Sequence, residues 1–239
     1  AGTATWVEDD QPIRLPDDFY SSFFYADKLI EYGSSEPDSE QPFFAYLAFQ
    51  AVHAPHHAPA EYVERYADTY VEGWDVIRQR RYDRMTAMGV VPRTAESVVS
   101  RDWGTFYGTP TLDWDSLDAE EQRYRARQMA VFAGMAEAMD ESIGRVIDHL
   151  RSSGELDNTL IIFMSDNGAE STVLTEVAPW FYRLRYDREL EALGSRGSWS
   201  EYGRGWGYAS NTPFYSYKGS PYGGGLRVPM IVRYPALIE

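Results

Sequence analysis

The sequence of 239 residues contains no cysteine. Disulfides, zinc–thiolate sites and thiol catalysis are therefore excluded within it, and the compartment stays undecided between cytoplasmic and periplasmic or secreted. No window approaches the roughly 20 apolar residues that a membrane-spanning helix needs. The first residues lack both an initiator methionine and the basic and apolar regions of a signal peptide, so we expect an internal segment or a processed product.

Positive charge is scarce as well, because 22 Lys and Arg face 37 Asp and Glu, for a net charge of −15. Nucleic acids are bound by clustered Lys and Arg, so the composition argues against a nucleic-acid partner. A small anionic substrate stays compatible, since it needs only a locally positive pocket. With 44% apolar and 15% aromatic residues the chain is predicted to fold, as one large domain or two small ones. Its oligomeric state stays open.

Helical periodicity is clearest over residues 119–153, where apolar residues recur at three- and four-residue steps. Asp118 followed by Glu121 forms a capping box at the start, and Gly154 supplies a stop. Weaker periodicity predicts a helix within residues 17–32, and the charged stretch 61–84 is predicted to be helical in parts.

Continuous apolar runs of strand length occur at residues 43–50, 159–164 and 228–233. Such runs are typical of strands buried on both faces, as in parallel sheets. The order of helix, short turn and apolar strand predicts an α/β domain with a mostly parallel sheet flanked by helices. Residues 171–211 are irregular and predict a long loop region with short helices. Its aromatic side chains either pack beneath the loop or line a substrate pocket; they include Trp199, Tyr202, Trp206 and Tyr208.

Asp166 and Asn167 follow the second apolar run within Ser165-Asp166-Asn167-Gly168. Ligands of open α/β sheets bind outside the carboxyl ends of the strands. A carboxylate and an amide carbonyl at that position are hard oxygen ligands suited to Ca²⁺ or Mg²⁺. The same residues are also good turn formers, so a plain turn is the alternative.

His53 follows the first apolar run. A histidine near neutral pH can act as a general acid or donate a hydrogen bond to an anionic oxygen, so His53 is a candidate for either role. The alternative is a loop histidine without a role. His56 and His57 lack the partners of a metal cluster and are predicted to be surface or substrate-rim residues. Lys218 lies among aromatic residues before the third apolar run. Its point charge suits contact with a sulfate or phosphate oxygen. The alternative is a solvated surface lysine.

Taken together, these segments resemble the type I sulfatases of the alkaline phosphatase superfamily, and bacterial arylsulfatases above all. The resemblance covers about residues 15–235 in order and approximate spacing. The matching stretches are Tyr20-Ser21-Ser22, residues 42–47, His53-Ala54-Pro55, residues 139–145, residues 154–159, residues 163–169, Asn211-Thr212-Pro213-Phe214, Tyr217-Lys218 and residues 224–232.

The resemblance implies a fold and a set of roles. Residues 1–239 would form the C-terminal part of a sulfatase catalytic domain with an alkaline-phosphatase-like α/β fold. Asp166 and Asn167 would hold a divalent cation, usually Ca²⁺ with Mg²⁺ as the alternative. Lys218 would bind a sulfate oxygen, and His53 would contact the sulfate and the leaving group. The nucleophile of the family is a hydrated formylglycine, and the substrate is a small sulfate ester.

The sequence departs from the family pattern at the nucleophile, because it has neither a cysteine nor a Ser-x-Pro-x-Arg motif. The Asp pair that completes the family's cation shell, and a Lys and a His that precede this region, have no counterpart either. The smaller C-terminal sheet domain is also expected to be absent. We therefore expect a truncated sulfatase that is inactive in isolation. A phosphodiesterase or phosphonate monoester hydrolase of the same superfamily, a non-catalytic sulfatase-like binding protein and an unrelated α/β domain stay open.

Overall fold

The computed structural model describes residues 5–35, 41–91 and 111–238. Its helices are α1 (Ser21–Ser34), α2 (Ala60–Glu64), α3 (Gly73–Ala87), α4 (Ala119–Ser152), α5 (Leu174–Val177), α6 (Pro179–Arg185), α7 (Gly203–Ser210) and α8 (Gly223–Leu226). Its strands are β1 (Trp6–Glu8), β2 (Gln11–Ile13), β3 (Ile161–Met164) and β4 (Met230–Arg233). Short 3₁₀ turns lie at Trp114–Ser116, Leu156–Asn158 and Leu190–Ala192.

The helix predicted over residues 119–153 is confirmed as α4. Asp118 caps its start, since its Oδ1 accepts hydrogen bonds from the backbone N–H groups of Glu120 at 3.0 Å and Glu121 at 2.9 Å. Beyond its end Gly154 has a φ of +83°, a conformation that glycine adopts without a steric penalty. Local sequence signals therefore set both ends of the longest helix.

The weaker helix predictions are confirmed in part. Helix α1 begins at Ser21 instead of near residue 17, and α2 and α3 divide the stretch 61–84. Both α1 and α2 pack against α4. The approach of α2 requires Gly134 on α4, because a Cβ atom there would lie 2.9 Å from the backbone nitrogen of Val63.

An aromatic core joins α3, α4 and α7. The ring of Trp206 is fully buried and meets Trp74 and Trp114 edge to face, with centroids 5.6 and 5.7 Å apart. Its indole N–H donates to the carbonyl of Arg125 in α4 at 2.8 Å. Trp199, Tyr202 and Tyr208 are buried as well. The choice between packing and a substrate pocket is thus resolved in favour of packing for these aromatic residues.

Both strand pairs are antiparallel. In the first, Trp6 lies opposite Ile13, and in the second, Ile161 lies opposite Arg233. The strands predicted over 159–164 and 228–233 are confirmed as β3 and β4, but side chains on both are more than half exposed, among them Ile162, Met164, Met230 and Ile231. The mostly parallel, doubly covered sheet is therefore not found in the part of the chain that the structure describes.

The strand predicted over residues 43–50 is wrong for this chain. These residues have no regular secondary structure, and Phe44 and Tyr46 are 92% and 83% exposed. A strand needs a neighbour to take up its backbone hydrogen bonds, and no strand within the described ranges pairs with this run. An apolar run shows that a segment favours burial, but it does not specify the surface that buries it.

Candidate functional site

Asp166 and Asn167 lie in the loop that leaves the end of β3. The hydroxyl of Ser165 donates to the carbonyl of Asn167 at 2.9 Å, and the Asn167 side-chain amide donates to the carbonyl of Gly168 at 3.0 Å. The turn chemistry expected of this motif is therefore present. The exposed carboxylate of Asp166 has no hydrogen bond or ion pair within the described residues, so its oxygens are free for a ligand.

This loop packs directly on the loop that carries Lys218. The N–H of Lys218 donates to the carbonyl of Ala169 at 3.0 Å, and the N–H of Gly168 donates to the carbonyl of Gly225 at 3.3 Å. The contact leaves no room for a side chain, because a Cβ atom on Gly168 would lie 1.6 Å from the carbonyl oxygen of Gly224. Three of the four predicted site residues, Asp166, Asn167 and Lys218, are thus held on two hydrogen-bonded loops.

The side chain of Asn211 connects the same two loops by hydrogen bonds. Its side-chain oxygen accepts from the N–H of Ala169 at 2.9 Å, and its side-chain amide donates to the carbonyl of Ser216 at 2.7 Å. The residue is buried at the end of α7. The Asn211-Thr212-Pro213-Phe214 segment belonged to the resemblance, but nothing in the local sequence indicated that its amide connects two distant loops.

Glu170 was also missed from the sequence. One carboxylate oxygen accepts from the N–H groups of Ser171 at 2.9 Å and Thr172 at 2.7 Å, and the other lies 3.6 Å from the Lys218 ammonium nitrogen. Burial by itself would raise the pKa of the Glu170 carboxyl, but hydrogen bonds from Thr172 and Ser171 and the charge of Lys218 outweigh it and lower that pKa. Glu170 therefore faces Lys218 as a carboxylate.

His53 lies on the exposed loop before α2, and its backbone N–H donates to the carbonyl of Gln50 at 2.9 Å. Its ring nitrogen Nδ1 lies 2.7 Å from the carbonyl oxygen of Ala54. Since a carbonyl only accepts, Nδ1 carries a proton and Nε2 is free to face the cleft. Within the described residues, no hydrogen bond or ion pair joins His53 to the loops of Asp166 and Lys218.

Of the two histidines beside it, His56 differs from the prediction of a surface or rim position. His56 is buried, stacked on Tyr202 at 5.3 Å and edge to face with Phe132. Burial lowers the pKa of its imidazole to about 3. The prediction for His56 is therefore wrong, because the loop turns this ring into the aromatic core. His57 is half-buried, with Nε2 at 3.0 Å from the carbonyl oxygen of Ser198.

One open cleft is lined by all four predicted site residues, His53, Asp166, Asn167 and Lys218. Its volume of about 4390 Å³ exceeds the several hundred Å³ that a small ligand fills. The cleft also includes the exposed run 43–50 and the surface of β3. It is thus an uncovered face of the molecule, on which Asp166, Asn167 and Lys218 lie on two adjoining loops and His53 lies on another loop.

A divalent cation fits the candidate site in the chemistry of its donors but not in their number. Asp166 and Asn167 offer a free carboxylate and an amide oxygen, which are the hard donors that Ca²⁺ and Mg²⁺ take. Ca²⁺ binds six to eight oxygens. Across residues 5–35, 41–91 and 111–238, no group of three or more His, Asp or Glu is arranged to hold a metal ion. By themselves, these two residues would supply only part of the ligand shell of such a cation.

None of the helices in the described ranges is long and apolar enough to cross a membrane.

Comparison with known proteins links this arrangement to a family. The family model described as Sulfatase matches residues 2–239. An uncharacterized sulfatase of Schizosaccharomyces pombe is 43% identical over 92% of this chain and 39% of its own length. The arylsulfatase of Klebsiella aerogenes is 32% identical over 97% of this chain and 48% of its own length. The chain thus spans less than half of either relative.

Among solved structures, the sulfatase-like protein yidJ of Bacteroides fragilis matches with a TM-score of 0.51 and 18% identity, over 96% of this chain and 34% of that one. At this identity the likeness concerns the fold alone. It supports the α/β fold class expected from the sequence, while the strands of the described residues pair only in antiparallel fashion.

Proposed function

The chain belongs to the sulfatase family, and from that membership we propose that the complete protein is a sulfuric ester hydrolase of the arylsulfatase type. The observation that carries this proposal is the match of the family model to residues 2–239, within which two hydrogen-bonded loops hold Asp166, Asn167 and Lys218 together. A small-molecule sulfate ester is the proposed substrate.

Lys218 is proposed to bind a sulfate oxygen. Its ammonium lines the open cleft and is only partly buried, so an anion can reach it. A positive charge at this point neutralises charge on the sulfate and on the oxygens where it grows during transfer. The backbone hydrogen bond from Lys218 to Ala169 keeps the Lys218 backbone beside the Asp166 loop.

His53 is proposed to assist departure of the alcohol or phenol. The contact of Nδ1 with the Ala54 carbonyl orients the ring, and Nε2 has no hydrogen bond to the residues that the structure describes. His53 lines the open cleft. When Nε2 is protonated it can donate to the leaving oxygen as a general acid. When Nε2 is unprotonated it can accept a proton as a general base.

Asp166 and Asn167 are the residues that would hold the divalent cation, most simply Ca²⁺ and otherwise Mg²⁺. Such a cation supplies Lewis-acid neutralisation of sulfate charge when bound. The sequence has no cysteine and no Ser-x-Pro-x-Arg motif, so the proposal assigns the formylglycine nucleophile to sequence outside these residues.

The proposal is tested on the complete protein with 4-nitrophenyl sulfate, bis(4-nitrophenyl) phosphate and a phenylphosphonate monoester. Sulfate ester turnover that is highest of the three supports a sulfatase. Faster turnover of either phosphorus ester would instead assign the protein as a phosphodiesterase or a phosphonate monoester hydrolase. Absence of turnover on all three, with the cation bound, would point to a binding protein.

The metal assignment is tested with Asp166→Ala in the complete protein. Removing the Asp166 carboxylate should weaken Ca²⁺ binding by at least tenfold, because a charged oxygen ligand is lost. Isothermal titration with Ca²⁺ after treatment with a chelator measures the change. Asp187→Ala, which removes an exposed carboxylate of the 171–211 region, is the control. Equal Ca²⁺ affinity in both variants would count against the assignment.

A further inference from the structure

Glu170 is the acidic side chain that faces the candidate sulfate-binding lysine. We propose that Glu170 is a positioning residue, which holds the Lys218 ammonium in the cleft so that its N–H donors meet a sulfate oxygen. The inference rests on the proposed function, because it assigns Lys218 to the sulfate. It adds a residue to which the sequence reasoning gave no role.

The Glu170 carboxylate is itself fixed in place. One oxygen accepts from the N–H groups of Ser171 at 2.9 Å and Thr172 at 2.7 Å, so it is occupied by the loop. The N–H of Glu170 donates to the buried hydroxyl of Tyr202 at 3.1 Å, which anchors the backbone to the core. Only the second oxygen is directed toward Lys218.

Lys218 needs such a partner, because its backbone is held but its side chain is not. A lysine side chain has four rotatable carbon–carbon bonds and loses considerable rotamer entropy when it is ordered. Within the described residues, Glu170 is the acidic group that lies within ion-pair distance of its ammonium, at 3.6 Å. A fixed negative charge therefore selects the rotamers that keep the ammonium in the cleft.

The length of this ion pair also leaves the donors of Lys218 available. At 3.6 Å the contact is too long for a hydrogen bond, so no acceptor among the described residues occupies the three N–H groups of the ammonium. Lys28, the other lysine of the chain, shows the contrast: its ammonium lies 2.8 Å from Glu8 and 2.9 Å from Glu31. Lys28 is occupied by carboxylates, whereas Lys218 is oriented by one and left able to bind.

The Glu170 carboxylate has two opposing effects on sulfate affinity. Through space, the charge of Glu170 repels a sulfate, so removing that charge would tighten sulfate binding. Through Lys218, the same charge orders the ammonium, so removing it would weaken sulfate binding. A purely structural role in the loop predicts no change when a side chain of equal shape keeps the hydrogen bonds to Ser171 and Thr172.

The test uses Glu170→Gln in the complete, Ca²⁺-loaded protein, since glutamine keeps an oxygen for those two N–H groups and loses the charge. Binding of inorganic sulfate by isothermal titration should weaken by about threefold to fivefold, the range expected for a partly exposed ion pair. With 4-nitrophenyl sulfate, the loss in kcat/KM should be divided between KM and kcat in the same ratio as the loss caused by Lys218→Met. Unchanged or tighter sulfate binding in Glu170→Gln would overturn the inference.

Two further variants separate positioning from damage to the fold. In a Lys218→Met background, Glu170→Gln should cause no additional loss of sulfate affinity, because its effect acts through the lysine. A loss of similar size in both backgrounds would mean a general folding defect and would also overturn the inference. Glu176→Gln, which removes a carboxylate 3.0 Å from Arg204 and away from Lys218, is the matched control and should bind sulfate as the wild type does.

The outcomes distinguish this inference from the proposed function. If the wild-type protein hydrolyses no sulfate ester and binds no sulfate, the proposed function fails and the positioning role fails with it. If the wild type is active and Glu170→Gln binds sulfate normally, only the positioning role fails.

Discussion

At the scale of single residues, the loop before α2 places three neighbouring histidines in three environments. His53 is exposed to the cleft, His57 contacts a backbone carbonyl, and His56 is buried between aromatic rings. The Nδ1 atom of His56 is buried without a hydrogen-bond partner in the described residues. A charged imidazole would be poorly solvated there, so the folded protein holds His56 neutral.

His56 should make the stability of the fold depend on pH. Its folded pKa of about 3 lies below the ordinary value of 6.5, so below pH 6.5 the unfolded chain binds a proton that the folded chain does not. Stability is therefore lost as the pH falls from 6.5 toward 3, by up to about 1.4 kcal/mol per pH unit. His56→Phe keeps the ring and should flatten the fall in urea-unfolding free energy between pH 7 and pH 5.

The matched control for this effect is His149→Gln, at a half-buried histidine near the end of α4. The slope of unfolding free energy against pH should change less in His149→Gln than in His56→Phe. A slope in His56→Phe equal to that of the wild type would show that other groups cause the acid sensitivity.

At the scale of elements, the candidate site is a junction of loops that secondary structure alone does not place. The loop after β3 and the loop before α8 meet through backbone hydrogen bonds, close glycine packing and the side chain of Asn211. At a partly buried position, the amide of Asn211 accepts from the N–H of Ala169 and donates to the carbonyl of Ser216. Its contribution therefore exceeds that of an exposed asparagine.

Asn211→Ala should destabilise the protein by about 2 kcal/mol, because it leaves the N–H of Ala169 and the carbonyl of Ser216 without their partner. Urea unfolding followed by circular dichroism measures the loss. Asn158→Ala is the control, since Asn158 is exposed and its amide donates to the carboxylate of Glu155 at 3.5 Å. That variant should stay within about 0.5 kcal/mol of the wild type. Equal losses in the two variants would refute the role given to Asn211.

At the scale of the whole molecule, the described residues form a helical and loop-rich layer with one uncovered apolar face. Phe44 and Tyr46 lie on this face together with side chains of β3 such as Ile162. Contiguous apolar surface of this kind is rare on monomeric proteins and favours association. The candidate site residues line the same face, so they are accessible to solvent together with its apolar side chains.

The chain of 239 residues, produced by itself, should therefore bind the dye ANS, self-associate at micromolar concentration and show no turnover of 4-nitrophenyl sulfate. Sedimentation velocity and dye fluorescence measure the first two properties. Replacing Phe44 and Tyr46 by serine should reduce both, because it removes exposed rings without touching a predicted site residue. A dye-free monomer, or measurable turnover by the wild-type chain, would contradict this expectation.

Local sequence determined much of this protein. The capping box at Asp118, the stop at Gly154 and the apolar periodicity between them predicted α4, because helix ends and helix faces depend on nearby residues. The order of family-like segments led to the sulfatases, which the family match confirms. Ser165-Asp166-Asn167-Gly168 was correctly placed directly after a strand.

Only the tertiary structure decided the rest. Residues 43–50 have the composition of a buried strand, but strand formation depends on a partner far away in the sequence. His56 and His57 are adjacent in the chain, yet only the path of the loop determines which ring enters the core. Glu170 and Asn211 act through contacts across 48 and 42 positions of the chain, to Lys218 and Ala169, and no local pattern encodes such contacts.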